Sequence, residues 1–255
     1  MICIRKAWYN LGKFFVSLVA MAGFDLDILW KAPLPEGPVI LAANHPCTFD
    51  PALLTTLFER QVSILIHGPI FTLPLFGRSL RFCGHIEVLR GTGGKSLDEA
   101  EKLLKAGKTV AIFPEGAISP VGSFHDARSG VGRLALRTGV PVVPIGIHLD
   151  SKLLHRVEQI IDGVCDTGAY YFHGPYSMTV GEAQRFEGNV EDRDLVHRVS
   201  SQVMSRIISL SRESAYRMRV YRASRLRWWL AARWWMYSPI RLVRSWNTFA
   251  HARIR

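Results

Sequence analysis

The sequence predicts a single α/β domain built on a central, largely parallel mixed sheet flanked by helices. A membrane-associated helix precedes it and a basic, Trp-rich helical tail follows. Two observations carry this prediction. Short apolar runs of strand length alternate with capped or amphipathic segments of helix length, the pattern of a sheet covered on both faces by crossover helices. In addition, 48% of the 255 residues are hydrophobic, enough for a sizeable core. The expected division is residues 1–30 as an N-terminal interfacial helical segment, 31–212 as the domain, and 213–255 as an Arg/Trp-rich membrane-interacting tail.

In chain order, Phe14–Phe24 is uncharged and follows Arg5, Lys6 and Lys13. Its eleven residues are too few to span a bilayer, and no run of 18 uncharged apolar residues occurs in the chain. Ala20-Met21-Ala22 also fits a signal-peptide cleavage pattern, but an interfacial amphipathic anchor is the preferred reading. Pro33, Pro35, Gly37 and Pro38 mark a loop. Val39–Ala43 reads as a buried strand, and Asp50–Pro51 opens a helix to Phe58 with Asp as N-cap. Val62–Ile66 is a second strand, Phe71–Phe82 is helical or irregular, and Ile86–Leu89 is a short strand. Ser96 with Glu99 reads as a capping box for a helix to Ala106, stopped by Gly107. A strand follows at Thr109–Phe113, a helix at Val131–Thr138, a strand at Val142–Ile147 and β-structure from Ala169 to Val180. Val196, Val199, Val203, Ile207 and Leu210 recur at spacings of three and four, marking an amphipathic helix.

The net charge of +11 belongs to the tail. Residues 214–255 hold ten arginines, no Asp, Glu or Lys, and five of the seven tryptophans. The preceding part carries 22 basic against 21 acidic groups. Arg with Trp suits a lipid interface, guanidiniums at phosphates and indoles at headgroup level. It also suits nucleic acid, or a helix whose Trp face packs on the domain. The membrane surface is preferred and no specific nucleic acid is expected. Cys3, Cys47, Cys83 and Cys165 form no C-x-x-C pair, which fits a reducing compartment. The expected location is the cytoplasmic face of a membrane.

Chemistry concentrates in Ala43-Asn44-His45-Pro46-Cys47-Thr48-Phe49-Asp50. A strand ends, a His follows, and an Asp stands five residues on at a helix start. Ligands bind at the carboxyl ends of strands in open α/β sheets. A turn that folds Asp50 onto the imidazole would leave Nε2 free to take a proton from a hydroxyl. The same pair also describes a buried His bonded to a helix-capping Asp. No G-x-S-x-G elbow occurs, and Cys47 sits too close to His45 on one turn for nucleophile geometry. A His–Asp pair without a protein nucleophile implies direct attack by a substrate hydroxyl on an activated acyl donor. Phe113-Pro114-Glu115-Gly116 ends another strand, where backbone N–H groups can face an anion while the carboxylate orders a cation or the loop. Gly84-His85-Ile86-Glu87-Val88-Leu89-Arg90 delivers an arginine near the same edge. Val140-Pro141-Val142-Val143-Pro144 either shapes an apolar wall or frames a strand. No two histidines show zinc-site spacing.

These four segments, in this order, resemble the glycerolipid acyltransferase family typified by 1-acyl-glycerol-3-phosphate acyltransferases. Its N-H-x-x-x-x-D matches Asn44, His45 and Asp50, and its G-x-x-x-(I/V)-x-R matches Gly84, Val88 and Arg90. Its F-P-E-G matches residues 113–116 and its V-P-x-x-P residues 140–144. The resemblance covers about residues 38–148. It implies an αβ domain seated on a membrane surface, with His45 as base and Asp50 as its orienter. It also implies that Arg90, Glu115 and Gly116 form the acceptor-phosphate site, that Phe113 and Pro114 of the same motif bind substrate, and that Val140, Pro141 and Pro144 border the acyl donor. The implied donor is an acyl-CoA or acyl-carrier-protein thioester, with no metal or prosthetic group. The implied acceptor is lysophosphatidic acid or a related lysophospholipid, or else glycerol 3-phosphate. Two departures stand out. Cys47 replaces a frequent Ser, and Ala117-Ile118-Ser119 replaces the Thr-Arg-Ser that often follows F-P-E-G. Arg128 and Arg133 are the candidates to supply the missing guanidinium. The rival reading is a non-catalytic membrane or nucleic-acid binding protein acting through its tail.

Overall fold

The computed structural model describes residues 2–89, 91, 93–161 and 164–237. Among these described residues nine strands are formed: β1 (Phe24–Trp30), β2 (Ile40–Ala43), β3 (Val62–His67), β4 (Ile86–Val88), β5 (Thr109–Ile112), β6 (Val142–Leu149), β7 (His155–Ile161), β8 (Val164–Tyr170) and β9 (Gly174–Val180). Six α-helices accompany them in the described residues: α1 (Ile2–Gly23), α2 (Asp50–Leu57), α3 (Phe76–Cys83), α4 (Gly93–Lys105), α5 (Gly130–Thr138) and α6 (Arg193–Tyr237). Seven strands make one sheet in the order β1-β9-β6-β2-β5-β3-β4, and β7 pairs with β8 in a separate antiparallel hairpin. Every neighbouring pair in the large sheet is parallel except β6 with β9. The expected mixed, mainly parallel sheet is therefore the one observed.

Strand alternation distributes the apolar side chains to two cores. Leu41 and Ala43 of β2, with Val143, Ile145 and Ile147 of β6, face Leu53 and Leu54 of α2. Ile40 and Ala42 face the opposite way, toward Leu104 of α4, Leu134 of α5 and Val203 and Ile207 of α6. All five positions that mark α6 as amphipathic, from Val196 to Leu210, are buried. Because β2, β3, β4 and β5 run parallel, their carboxyl ends share one edge. That edge receives His45 after β2 and Phe113 after β5.

Two local expectations are corrected. Phe24–Trp30 is not helical; it is strand β1, in register with β9 from Phe24↔Gly174 to Trp30↔Val180. Its Asp27 carboxylate accepts from Ser177 Oγ at 2.7 Å. Ser96 does not cap α4, which begins three residues earlier; its hydroxyl donates instead to the Glu87 carbonyl at 2.9 Å and ties the helix to β4. The hairpin β7–β8 was not anticipated before Ala169. A second compact unit begins at Tyr216, and its described part is helical through Tyr237. Residues 238–255 of the expected tail lie outside the described residues.

Gly84 closes α3 with φ +81°, and a Cβ there would collide with the Arg5 guanidinium. The next residue, His85, is half-buried, and its Nδ1 accepts from the Ile64 N–H at 3.3 Å. Burial, with the nearby Arg5 charge added, lowers its pKa to about 4. The unfolded chain takes up this proton below about pH 6.5 while the folded chain does not. Stability from this group is thus complete above pH 6.5 and is lost as pH falls toward 4. Urea unfolding at pH 7 and pH 5 should differ by about 2 kcal/mol more in the wild type than in His85→Gln. An equal pH dependence in the two proteins would refute a His85 held neutral by the fold.

Candidate active site

The site starts with an asparagine. Asn44 is buried, and its amide extends the ladder one step past β2, with Nδ2 donating to the Ile147 carbonyl at 2.9 Å and Oδ1 accepting from Ile147 N–H at 2.7 Å. His45 is therefore fixed at the sheet edge by side-chain bonds that copy a strand. Its backbone N–H donates to Ser119 Oγ at 3.0 Å and to Glu115 Oε1 at 3.2 Å, while its carbonyl accepts from Ser119 N–H at 2.8 Å. Its ring lies against the Phe113 ring, centroids 4.2 Å apart and 24° from parallel.

His45 Nδ1 stands 3.0 Å from Asp50 Oδ2, and the Asp50 side chain is 0% exposed. Asp50 is not the N-cap of α2: Phe49 holds that position, without a side-chain cap bond. The Asp50 carboxylate turns back instead, accepting from Cys47 N–H at 2.7 Å through Oδ2 and from Tyr176 Oη at 2.8 Å through Oδ1. Tyr176 comes from β9 and is fully buried. Burial, followed by the Asp50 charge, raises its pKa well above the usual value, so the phenol stays a donor. A carboxylate with both oxygens engaged has one orientation, and it fixes the imidazole with Nδ1 inward and Nε2 outward. Cys47 is 1% exposed, and burial with the Asp50 charge pushes its thiol up to about 12. It is not available as a thiolate nucleophile.

Glu115 is 2% exposed, and its role differs from that expected of it. Its carboxylate accepts from Ser119 Oγ at 2.5 Å, from His45 N–H at 3.2 Å and from His125 N–H at 2.9 Å. It joins three loop segments from within rather than meeting a substrate phosphate. Gly116 has φ +65°, and a Cβ there would overlap the Arg128 stem, which crosses the loop at this point. Val140, Pro141 and Pro144 are also corrected. They are buried away from the cleft and frame β6, the Pro141 carbonyl accepting from Ile40 N–H at 2.9 Å and that of Pro144 from Gly181 N–H at 2.8 Å.

The cleft at this edge measures about 1140 Å³. His45, Phe113, Pro114 and Gly116 line it together with Arg128 and Arg133. Among the described residues neither of these two arginines is paired with a carboxylate, whereas Arg137, also in the lining, is held by Asp98 at 2.9 Å and Glu101 at 3.4 Å. Apolar walls come from Leu65, Ile66, Ile70 and Leu97. Arg90 lies outside the described residues. The sequence reading passed over Tyr176, Ser119 and the clamp made by Asn44. Asn44 and Ser119 stand inside segments already singled out. Tyr176 carries no local signal, being joined to Asp50 across 126 positions of sequence.

A histidine paired with a buried carboxylate at the strand ends, in a cleft also lined by Arg128 and Arg133, is an arrangement suited to acid–base chemistry. Residues 29–148 match the family model described as Acyltransferase. Similar curated proteins include a chloroplastic 1-acyl-sn-glycerol-3-phosphate acyltransferase of Brassica napus, 28% identical over 59% of this chain and 45% of that one. A 1-acyl-sn-glycerol-3-phosphate acyltransferase of Pseudomonas aeruginosa is 30% identical over 53% of this chain and 54% of its own. The chain spans about half the length of these relatives. The crystal structure of the 1-acyl-sn-glycerophosphate acyltransferase of Thermotoga maritima has the same fold, with a TM-score of 0.53 over 79% of both chains at 22% identity.

Proposed function

We propose that this protein transfers a fatty acyl group from an acyl thioester to the free hydroxyl of lysophosphatidic acid in glycerophospholipid synthesis. The observation that carries the reading is the His45–Asp50 pair opening on a cleft that also holds Arg128 and Arg133. The relatives' names supply the substrate class. His45 Nε2 takes the acceptor's hydroxyl proton as that oxygen attacks the thioester carbonyl, and Asp50 stabilises the imidazolium. The tetrahedral intermediate collapses with cleavage of the carbon–sulfur bond, and His45 returns the proton to the leaving thiolate. The ester and a free thiol, from coenzyme A or acyl carrier protein, are the products. No step in this reading is assigned to a metal or prosthetic group.

Arg128 and Arg133 take the place of the guanidinium that Ile118 cannot provide. Thiol release from acyl-CoA should require lysophosphatidic acid, and Arg128→Ala or Arg133→Ala should raise its KM about tenfold, the cost of one charge-assisted bond to phosphate. An unchanged KM in both variants would remove them from the acceptor site. Transfer to glycerol 3-phosphate but not to lysophosphatidic acid would move the acceptor assignment. Absence of transfer from both acyl-CoA and acyl carrier protein would favour a binding protein.

The same reading places the protein on a membrane surface at its cytoplasmic face. No described helix is long and apolar enough to cross a membrane. On α1, however, Ile4, Trp8, Leu11, Phe15 and Leu18 recur at spacings of four and three and are all exposed. A stripe of this kind fits the headgroup boundary of a bilayer. Replacing Leu11 and Phe15 together with Glu should abolish flotation with anionic phospholipid vesicles while detergent-dispersed substrate is still turned over. Undiminished flotation would assign attachment to another segment.

A further inference from the structure

The β7–β8 hairpin stands outside both the large sheet and the family-matched segment, yet a single rung of it touches both catalytic loops. Arg156 and Ala169 are directly opposed in the antiparallel pair. The Ala169 carbonyl accepts from Thr48 N–H at 2.7 Å, and its N–H donates to Thr48 Oγ1 at 3.0 Å. Thr48 lies between His45 and Asp50. From the opposite strand, Arg156 Nη1 donates to the Ser119 carbonyl at 3.0 Å. Ser119 is the residue that holds the backbone of His45 from both sides.

Opposed side chains in an antiparallel pair project to the same face, and so does the residue two places along the strand. Arg156 and Thr167 accordingly both line the cleft that contains His45. A guanidinium carries five N–H donors in a rigid fork. One N–H of Arg156 is committed to the Ser119 carbonyl, which holds the group in place without neutralising it. The rest of the fork is at the cleft, where Arg128 and Arg133 also stand. Such a concentration of positive charge around one space fits a doubly charged phosphomonoester better than a neutral headgroup or a zwitterionic phosphodiester.

We infer that Arg156 is a specificity-determining residue: the β7–β8 hairpin carries it over the site to bind the phosphomonoester of a glycerol-based acceptor. The Ser119 bond couples that binding to the position of the His45 loop. As to substrate, the inference rests on the acyltransferase reading. As to anion binding, it can be tested without catalysis.

The test compares the full chain with Arg156→Ala and Arg156→Lys in two measurements. In calorimetry, wild type should bind glycerol 3-phosphate more tightly than inorganic phosphate. Arg156→Ala should weaken glycerol 3-phosphate binding about tenfold, and Arg156→Lys less, since Lys keeps the charge but loses the fork. In turnover, Arg156→Ala should raise the KM for lysophosphatidic acid about tenfold with a smaller fall in kcat. Equal affinity for glycerol 3-phosphate in wild type and Arg156→Ala overturns the inference, as does failure of the wild type to bind it. Inorganic phosphate bound as tightly as glycerol 3-phosphate would make the ligand free phosphate and overturn the acceptor assignment. A fall in kcat with KM and affinity unchanged would reduce the hairpin to a brace. If wild type transfers no acyl group but Arg156→Ala still loses phosphate affinity, the acyltransferase reading fails while Arg156 remains an anion ligand.

Discussion

Replacing His45 with Ala should lower kcat for acyl transfer by roughly three to four orders of magnitude, the usual loss when an oriented acid–base pair is removed, while leaving a folded protein. The two effects separate because His45 is held by its backbone. The bonds from its N–H to Ser119 and Glu115, and from Ser119 to its carbonyl, survive the substitution. Asp50 keeps its bonds from Cys47 N–H and Tyr176. What is lost from stability is one bond to the carboxylate and the stacking on Phe113, about 1–2 kcal/mol in all. For a domain of this size that corresponds to a fall of roughly 2–8 °C in Tm. The experiment is a thiol-release assay with lysophosphatidic acid beside a thermal melt of the same preparation. Near-native kcat in a folded His45→Ala protein would show that the acceptor hydroxyl is deprotonated elsewhere. Loss of both activity and fold would show that the ring supports the loop more than the geometry implies.

The parts of this molecule that were legible in its sequence are those whose signal is local. The buried strands β2, β3, β5 and β6 stand out as apolar runs between turn residues, and α6 stands out by its periodicity. Two loops at the carboxyl ends of such strands are enough to bring His45 and Phe113 together, because parallel strands share an edge. What failed to show was long-range. β1 alternates Asp with Leu and Ile, yet its place in the sheet depends on β9, about 150 residues later. Ser96 looks like a cap because Glu99 follows it three residues on, but a buried carbonyl at Glu87 competes for its hydroxyl. Glu115 reads as a substrate ligand in a strand-end loop, and only the three donors converging on it show that it faces inward. Asp50 is the most instructive case. A carboxylate at a helix start normally serves the helix. Here the backbone of α2 begins without it, leaving both oxygens for His45, Cys47 and Tyr176.

That arrangement leads to a prediction in which one substitution changes sign with its background. Asp50→Ala should abolish activity to about the level of His45→Ala, because the two residues act as a unit. It should also destabilise the fold by about 4 kcal/mol, since the Tyr176 hydroxyl and Cys47 N–H are buried and lose their acceptor together, at about 1–3 kcal/mol for each unsatisfied donor. Tyr176→Phe in the wild type removes a hydrogen bond to a charged acceptor and should cost about 2 kcal/mol. In the Asp50→Ala background the same substitution removes a stranded phenol hydroxyl, so it should restore about 1–2 kcal/mol. Urea unfolding of the wild type, the two single variants and the double variant gives the coupling directly. A Tyr176→Phe penalty of equal size in both backgrounds would mean that the phenol is worth nothing through Asp50, and that the orientation of the dyad depends on Cys47 alone. A gain in the double variant would establish that a strand on the far side of β6 holds the catalytic carboxylate in place. The same cycle read in kcat distinguishes support from chemistry: Tyr176→Phe should slow the wild type about tenfold through a loosened His45, yet have no further effect once Asp50 is gone.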